Sequence, residues 1–135
     1  MTNFDYLKDC EGVKHLYELC CEVECRQTSD PGTSALYARN VLDWIVQAIY
    51  RLEDIGDANG KSLFQLMNDD KFVRYINDAS MMQTLHYIRK IGNIGAHNPS
   101  SVKRNESYFV LRQLHGAVGA VLMKFGLISS FPDFD

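Results

Sequence analysis

No apolar stretch in the 135 residues approaches the roughly 20 needed to span a bilayer, so the sequence predicts no membrane partner. The opening Met1-Thr2-Asn3-Phe4-Asp5 lacks the basic region and apolar core of a secretory signal, and a cytoplasmic address is the default expectation. Cysteine is absent beyond residue 25, with Cys10, Cys20, Cys21 and Cys25 crowded at one end. A disulfide framework would spread them across the fold. Cys21 and Cys25 would share a helix face, yet no CxxC pair or second ligand cluster accompanies them, and tetrahedral zinc takes four ligands. The expectation is no metal, no cofactor, and cysteines that pack as small hydrophobes. Alternating runs of β-branched residues are missing, which removes the case for a sheet. There is also no GxxxxGK[ST] phosphate loop, no GxGxxG after a strand and no HExxH, which excludes the commonest nucleotide-binding and zinc-hydrolase chemistries.

What is present is ordinary in amount and uneven in placement. A composition 46% hydrophobic and 23% charged fits a globular chain, and 135 residues make one domain with a core of its own. Residues 1–70 hold six Lys/Arg against thirteen Asp/Glu, a balance of −7. Residues 71–135 hold eight against four, a balance of +4, with two of the four acids in the last three positions. A polyanion partner is therefore allowed at the second half, while charge alone favours the reading that these residues solvate helix faces.

Hydrophobic periodicity predicts helices throughout. Residues 11–28 carry Val13, Leu16, Tyr17, Cys20, Cys21 and Val23 in a loose 3.6-residue stripe. Asp30-Pro31 is a helix start, an N-cap followed by proline at the first helical position. The helix after it places Leu36, Val41, Leu42, Ile45, Val46, Ile49 and Leu52 on one face, flanked by Tyr37 and Trp44. Residues 56–60 read as a turn, 61–76 as one or two short helices broken near Asn68-Asp69-Asp70, and Asp78 or Ser80 as the next cap. Two long segments follow: one aligns Met81, Leu85, Ile88, Gly92 and Gly95, the other Tyr108, Leu111, Leu114, Val118, Val121, Leu122 and Phe125 up to Gly126. The expected fold is all-α, a four-helix-bundle-like core with one or two short accessory helices. The domain is expected over 1–128, with 129–135 a tail or the start of a linker.

The stretch Ile88-Arg89-Lys90-Ile91-Gly92-Asn93-Ile94-Gly95-Ala96-His97-Asn98-Pro99 stands out. A glycine inside a helix costs about 1 kcal/mol relative to alanine. Two within four residues predict a backbone approaching too closely for side chains, so Gly92 and Gly95 are expected at a close helix contact. Asn93 and His97, spaced i, i+4, project from one face. Two readings of His97 stand side by side. In one it is a helix-terminal residue favoured by the dipole. In the other it is an acid or base, with Asn93 as positioner and Arg89 and Lys90 as cationic support, a set suited to metal-independent RNA cleavage. Lys103, Arg104 and Arg112 would extend the nucleic-acid-binding surface. A single His is little for such chemistry, so the cleaving reading calls for a homodimer.

The opening Thr2-Asn3-Phe4-Asp5-Tyr6-Leu7 resembles the start of many type I restriction endonuclease R subunits, the HsdR class. Tyr87 to His97, followed by a long amphipathic helix, is similar to the signature of the domain-of-unknown-function family 4145, within the HEPN superfamily of helical bundles. Phe131-Pro132-Asp133-Phe134-Asp135 resembles the segment leading into the endonuclease part of such subunits. The resemblance implies a helical domain that assembles a restriction–modification complex or contacts nucleic acid, with the other complex subunits as partners and DNA cleavage belonging to the host subunit. It implies as alternatives a dimeric HEPN ribonuclease of a toxin or phage-defence system, and a plain oligomerisation module. Ribonucleases of the superfamily use Arg, four to six intervening residues, then His. Here seven residues separate Arg89 from His97 and six separate Lys90 from it, so Asn93 and His97 carry over without a complete catalytic pair.

Overall fold

The computed structural model describes residues 1–135, all helix and connection with no strand. After a 3-10 turn at Asp5–Asp9 come α1 (Lys14–Arg26), α2 (Pro31–Leu52), α3 (Leu63–Asn68), α4 (Asp70–Ile76), α5 (Ala79–His97) and α6 (Arg104–Lys124). A second 3-10 turn, Pro99–Ser101, joins α5 to α6. Helix α2 is central: α1, α5 and α6 all pack on it, and α5 packs also on α6. This is the bundle-like all-α architecture that the periodicity predicts. No helix is long and apolar enough to cross a membrane.

The boundaries follow local chemistry. Asp30 caps α2 by accepting from the Thr33 N–H at 3.3 Å, with Pro31 supplying the fixed φ of the first turn. Ser62 and Gln65 form a reciprocal capping box on α3, at 3.1 and 2.8 Å. Asp69 and Asp78 cap α4 and α5 by accepting from Lys71 N–H (2.8 Å) and Met81 N–H (3.0 Å). Helix α6 ends at Gly126 in the left-handed region (φ +77°), where the Gly126 and Leu127 N–H groups bond back to Met123 and Leu122 carbonyls. That double closure is a Schellman motif.

The core joins Val41, Leu42, Ile45, Val46 and Ile49 of α2 to Leu85 and Ile88 of α5 and Leu111, Leu114, Val118 and Val121 of α6, all buried. Five residues of the expected stripes on α2, α5 and α6 are not buried, Met81 and Phe125 being half-buried at the helix ends. Leu36 is only half-buried, because α5 approaches α2 so closely that Gly32 and Ala35 occupy the seam. Leu52 and Tyr108, at the ends of their helices, are exposed. Of the cysteines, all free thiols, only Cys20 is buried; Cys10 and Cys21 are half-buried and Cys25 is exposed, so packing explains one of the four.

The close approach has a specific construction. A Cβ on Gly95 would strike the Gly32 carbonyl oxygen and lie 3.2 Å from the Leu36 nitrogen. A Cβ on Gly92 would meet the Arg39 Cβ and the Ala35 carbonyl at 3.0 Å, and one on Gly32 would meet Pro99. Gly92 and Gly95 therefore lie where the α2 backbone leaves no room for a side chain, and Gly32 is their counterpart on α2.

Residues 129–135, expected as a tail or the start of a linker, have no regular structure but lie against the helices. Phe131 sits over Gly119 of α6. The Asp135 N–H donates to the Asn3 side-chain oxygen at 2.8 Å. Beneath them His115 is buried (2% exposed), ringed edge-on by Phe4, Phe131 and Phe134 at 5.5–5.6 Å and by Tyr6 at 6.2 Å, and its Nε2 has no partner. Burial lowers the His115 pKa, partly offset by the Glu24 charge, an Asn3 backbone hydrogen bond and the Asp133 charge.

Two predictions follow from the packing. Gly95→Ala should destabilise by about 1–3 kcal/mol, because overpacking against backbone outweighs the gain in helix propensity. Gly116→Ala, in α6 with nothing near its added Cβ, should instead stabilise by up to about 1 kcal/mol. Urea melts decide this, and equal midpoints for both variants would refute the close-contact account. For His115, the folded-state pKa lies below the unfolded value of 6.5, so the unfolded chain binds the proton more readily. Its contribution is present above pH 6.5 and is lost as pH falls from there through the folded pKa. Stability should fall over that window, and less so in His115→Gln, measured by melts at stepped pH.

Candidate nucleic-acid interface

Helix α5 contains no Asp or Glu over its 19 residues, while it carries Arg89, Lys90 and two histidines. His86, Lys90, Asn93 and His97 recur at intervals of four, three and four, which places them in one stripe along the helix. The opposite face, Leu85, Ile88, Ile91, Gly92 and Gly95, is buried against α2 and α6. The stripe must therefore face outward. Lys90 and His97 are exposed, His86 and Asn93 half-buried. From His86 to His97 it runs about 16 Å, eleven residues at the α-helical rise.

His97 is the last residue of α5, and its side chain makes no hydrogen bond or ion pair within the chain. Asn98 closes the helix, its N–H bonding to the Ile94 carbonyl at 2.7 Å, and its own carbonyl accepts from the Ser101 hydroxyl at 2.9 Å. The imidazole is thus held at a fixed helix end with both nitrogens free for a partner. The position fits the helix-terminal reading, where the dipole favours an imidazolium, and also leaves the ring open to a ligand.

Arg89 lies beside the stripe, turned toward α2 and α3. Its guanidinium stands 4.9 Å from the centre of the Phe64 ring, and it donates to His86 Nδ1 at 3.4 Å. That bond requires a neutral imidazole, and burial together with the Arg89 and Lys90 charges keeps the His86 pKa below its usual value. Burial, reinforced by the charge of Arg39 on α2, also lowers the Arg89 pKa. Neither Arg39 nor Arg89 makes an ion pair; the chain's two, Lys8–Asp5 and Arg26–Glu22, lie elsewhere.

The structure does not bring every sequence candidate here. Arg104 is at the same end of the bundle as His97, but its Nε donates to the Thr28 carbonyl at 3.0 Å, tying α6 to the α1–α2 connection. Lys103 is exposed next to it, its N–H bonded to Glu106 at 2.9 Å. Arg112 lines a cleft with Asp78, Ser80 and Thr84 at the start of α5, about 20–28 Å along that helix from His97. It belongs to another region of the surface. Two residues that sequence reading missed do belong: Arg39, brought in by the glycine contact, and Phe64, an apolar side chain 55% exposed. No local signal marked either, since each depends on which helix faces which. No three His, Cys, Asp or Glu side chains gather closely enough to hold a metal ion.

No family model matches the chain, and comparison with curated proteins and with solved structures likewise gives no match.

The exposures predict a chemical pattern. Diethyl pyrocarbonate should modify His97 rapidly and leave His115 intact in the folded protein, as read by peptide mass mapping. Protection of His97 would show that its ring is engaged in the fold.

Proposed function

We propose that this is a HEPN-like helical domain that contacts nucleic acid through the outer face of α5 and has no cleavage activity of its own. One observation carries the reading: a 19-residue helix without a carboxylate presents Lys90 and an unbonded His97 on its uncovered side, with the half-buried Arg89 at the edge of that side, although the chain as a whole has a net charge of −3. Phosphate contacts of this kind supply affinity and fix register without reading bases. The resemblance to type I restriction subunits gives the setting. There the domain would help assemble the restriction–modification complex, with the other subunits as partners, while the host subunit cuts foreign DNA. The non-catalytic part rests on geometry, since His86 and His97 stand about 16 Å apart and cannot flank one phosphodiester as acid and base.

A second reading is favoured by the exposure of His97 alone. Two copies pairing their α5 ends would bring two imidazoles together, one to take the 2′-hydroxyl proton and one to give a proton to the leaving oxygen.

Binding of labelled RNA and DNA by fluorescence anisotropy tests both. The Arg89→Ala, Lys90→Ala double variant should bind more weakly and lower the slope of log K against log salt by up to about two phosphate contacts. An unchanged affinity and slope would remove α5 from the interface. Cleavage of RNA by wild type that His97→Ala abolishes would establish the ribonuclease reading instead, because loss of a proton-transfer group acts on the chemical step.

A further inference from the structure

Arg39 and Arg89 pose a problem that the fold leaves open. They approach from two helices, because the Arg39 Cβ rests on Gly92, one turn beyond Arg89 on α5. Like charges in proximity repel, and a fold normally places a carboxylate between them. None is there. Asp43, one turn further along α2, is exposed and makes no ion pair with Arg39. The Arg39 Nε is buried and has no hydrogen-bond partner, although such a donor costs about 1–3 kcal/mol when left unsatisfied. The repulsion depresses the Arg89 pKa in the same direction as its burial. An anion seated against both guanidiniums would relieve it.

The neighbouring group narrows the anion. Phe64 is on α3, whose start is fixed by the Ser62–Gln65 box, so its ring is presented from a capped helix. Arg89 covers part of that ring at 4.9 Å, and over half of the side chain remains in solvent. A flat apolar surface beside two guanidiniums suits a base stacked next to its own phosphate, and bases stack on aromatic rings and on arginine planes alike. A base inside a duplex cannot offer its face. From this juxtaposition we infer that Arg39, Arg89 and Phe64 form a subsite for single-stranded nucleic acid, with a backbone phosphate between the two arginines and the adjoining base stacked on Phe64.

The inference rests on the nucleic-acid reading of α5, and the test separates the two. Anisotropy titrations would use a labelled single-stranded oligonucleotide and its duplex, at several salt concentrations, with wild type, Phe64→Ala, Arg39→Gln, Arg89→Gln and Lys90→Ala. Arg39→Gln keeps the Cβ and Cγ that pack on Gly92, Phe64→Ala alters an exposed position, and circular-dichroism melts check that each variant is folded. Wild type should prefer the single strand. Phe64→Ala should weaken single-strand binding about 5- to 150-fold, the loss of one stacked base, and leave duplex binding nearly unchanged. Each arginine variant should reduce the single-strand salt slope by up to about 0.7, since the two arginines share one phosphate contact. Equal binding of single strand and duplex, with Phe64→Ala neutral and Lys90→Ala still harmful, would overturn the subsite and leave the α5 face standing. Absence of any binding by wild type at low salt would overturn both.

Discussion

The contact between α2 and α5 sets the geometry of everything else. Gly32, Ala35 and the stem of Arg39 on one helix meet Gly92, Gly95 and the following Pro99 on the other, with backbone where side chains would normally be. Such an approach fixes the rotation of α5, because only the glycine face fits. Once that face is turned inward, the remaining positions have no choice of direction. His86, Lys90, Asn93 and His97 must lie outside, and the residue after His97 must turn at once into Pro99, which sits over Gly32. The site is thus a consequence of packing rather than an addition to it. Two glycines in a helix, unfavourable by propensity, are offset by the dispersion and burial that the close contact provides.

The same contact creates an electrostatic imbalance. It carries Arg39 across to Arg89 without carrying an acid with it, in a chain whose overall charge is negative. The acids are concentrated in the first half of the sequence, and two of the three in α1 are spent locally, Glu22 on Arg26 and Glu24 on the Asn3 backbone and side chain.

At the other side of α6 the chain ends are held together. Asn3, Glu24 and Asp135 share hydrogen bonds, and Phe4, Tyr6, Phe131 and Phe134 close over His115. The Tyr6 hydroxyl and His115 Nε2 beneath that lid are both buried without partners. Burial raises the pKa of the one and lowers that of the other, so both are kept neutral. The lid makes this part of the fold sensitive to acid.

Period and capping are local properties, and the sequence by itself determined what depends on them. Asp30-Pro31, Ser62 with Gln65, Asp78 and Gly126 mark their helix ends through bonds to residues within a few positions, and the apolar stripes of α2, α5 and α6 assign most of the core. The meaning of Gly92 and Gly95 was legible for the same reason, since a missing side chain inside a helix implies a close neighbour. The identity of that neighbour was not. Leu36 moved to the rim, Arg112 fell on a different face, Arg104 was drawn to the Thr28 carbonyl, and Arg39 and Phe64 joined the site. Each of these depends on which helix lies beside which, at what rotation. Local periodicity carries no information about partners, and only the tertiary contact between α2 and α5 supplied it.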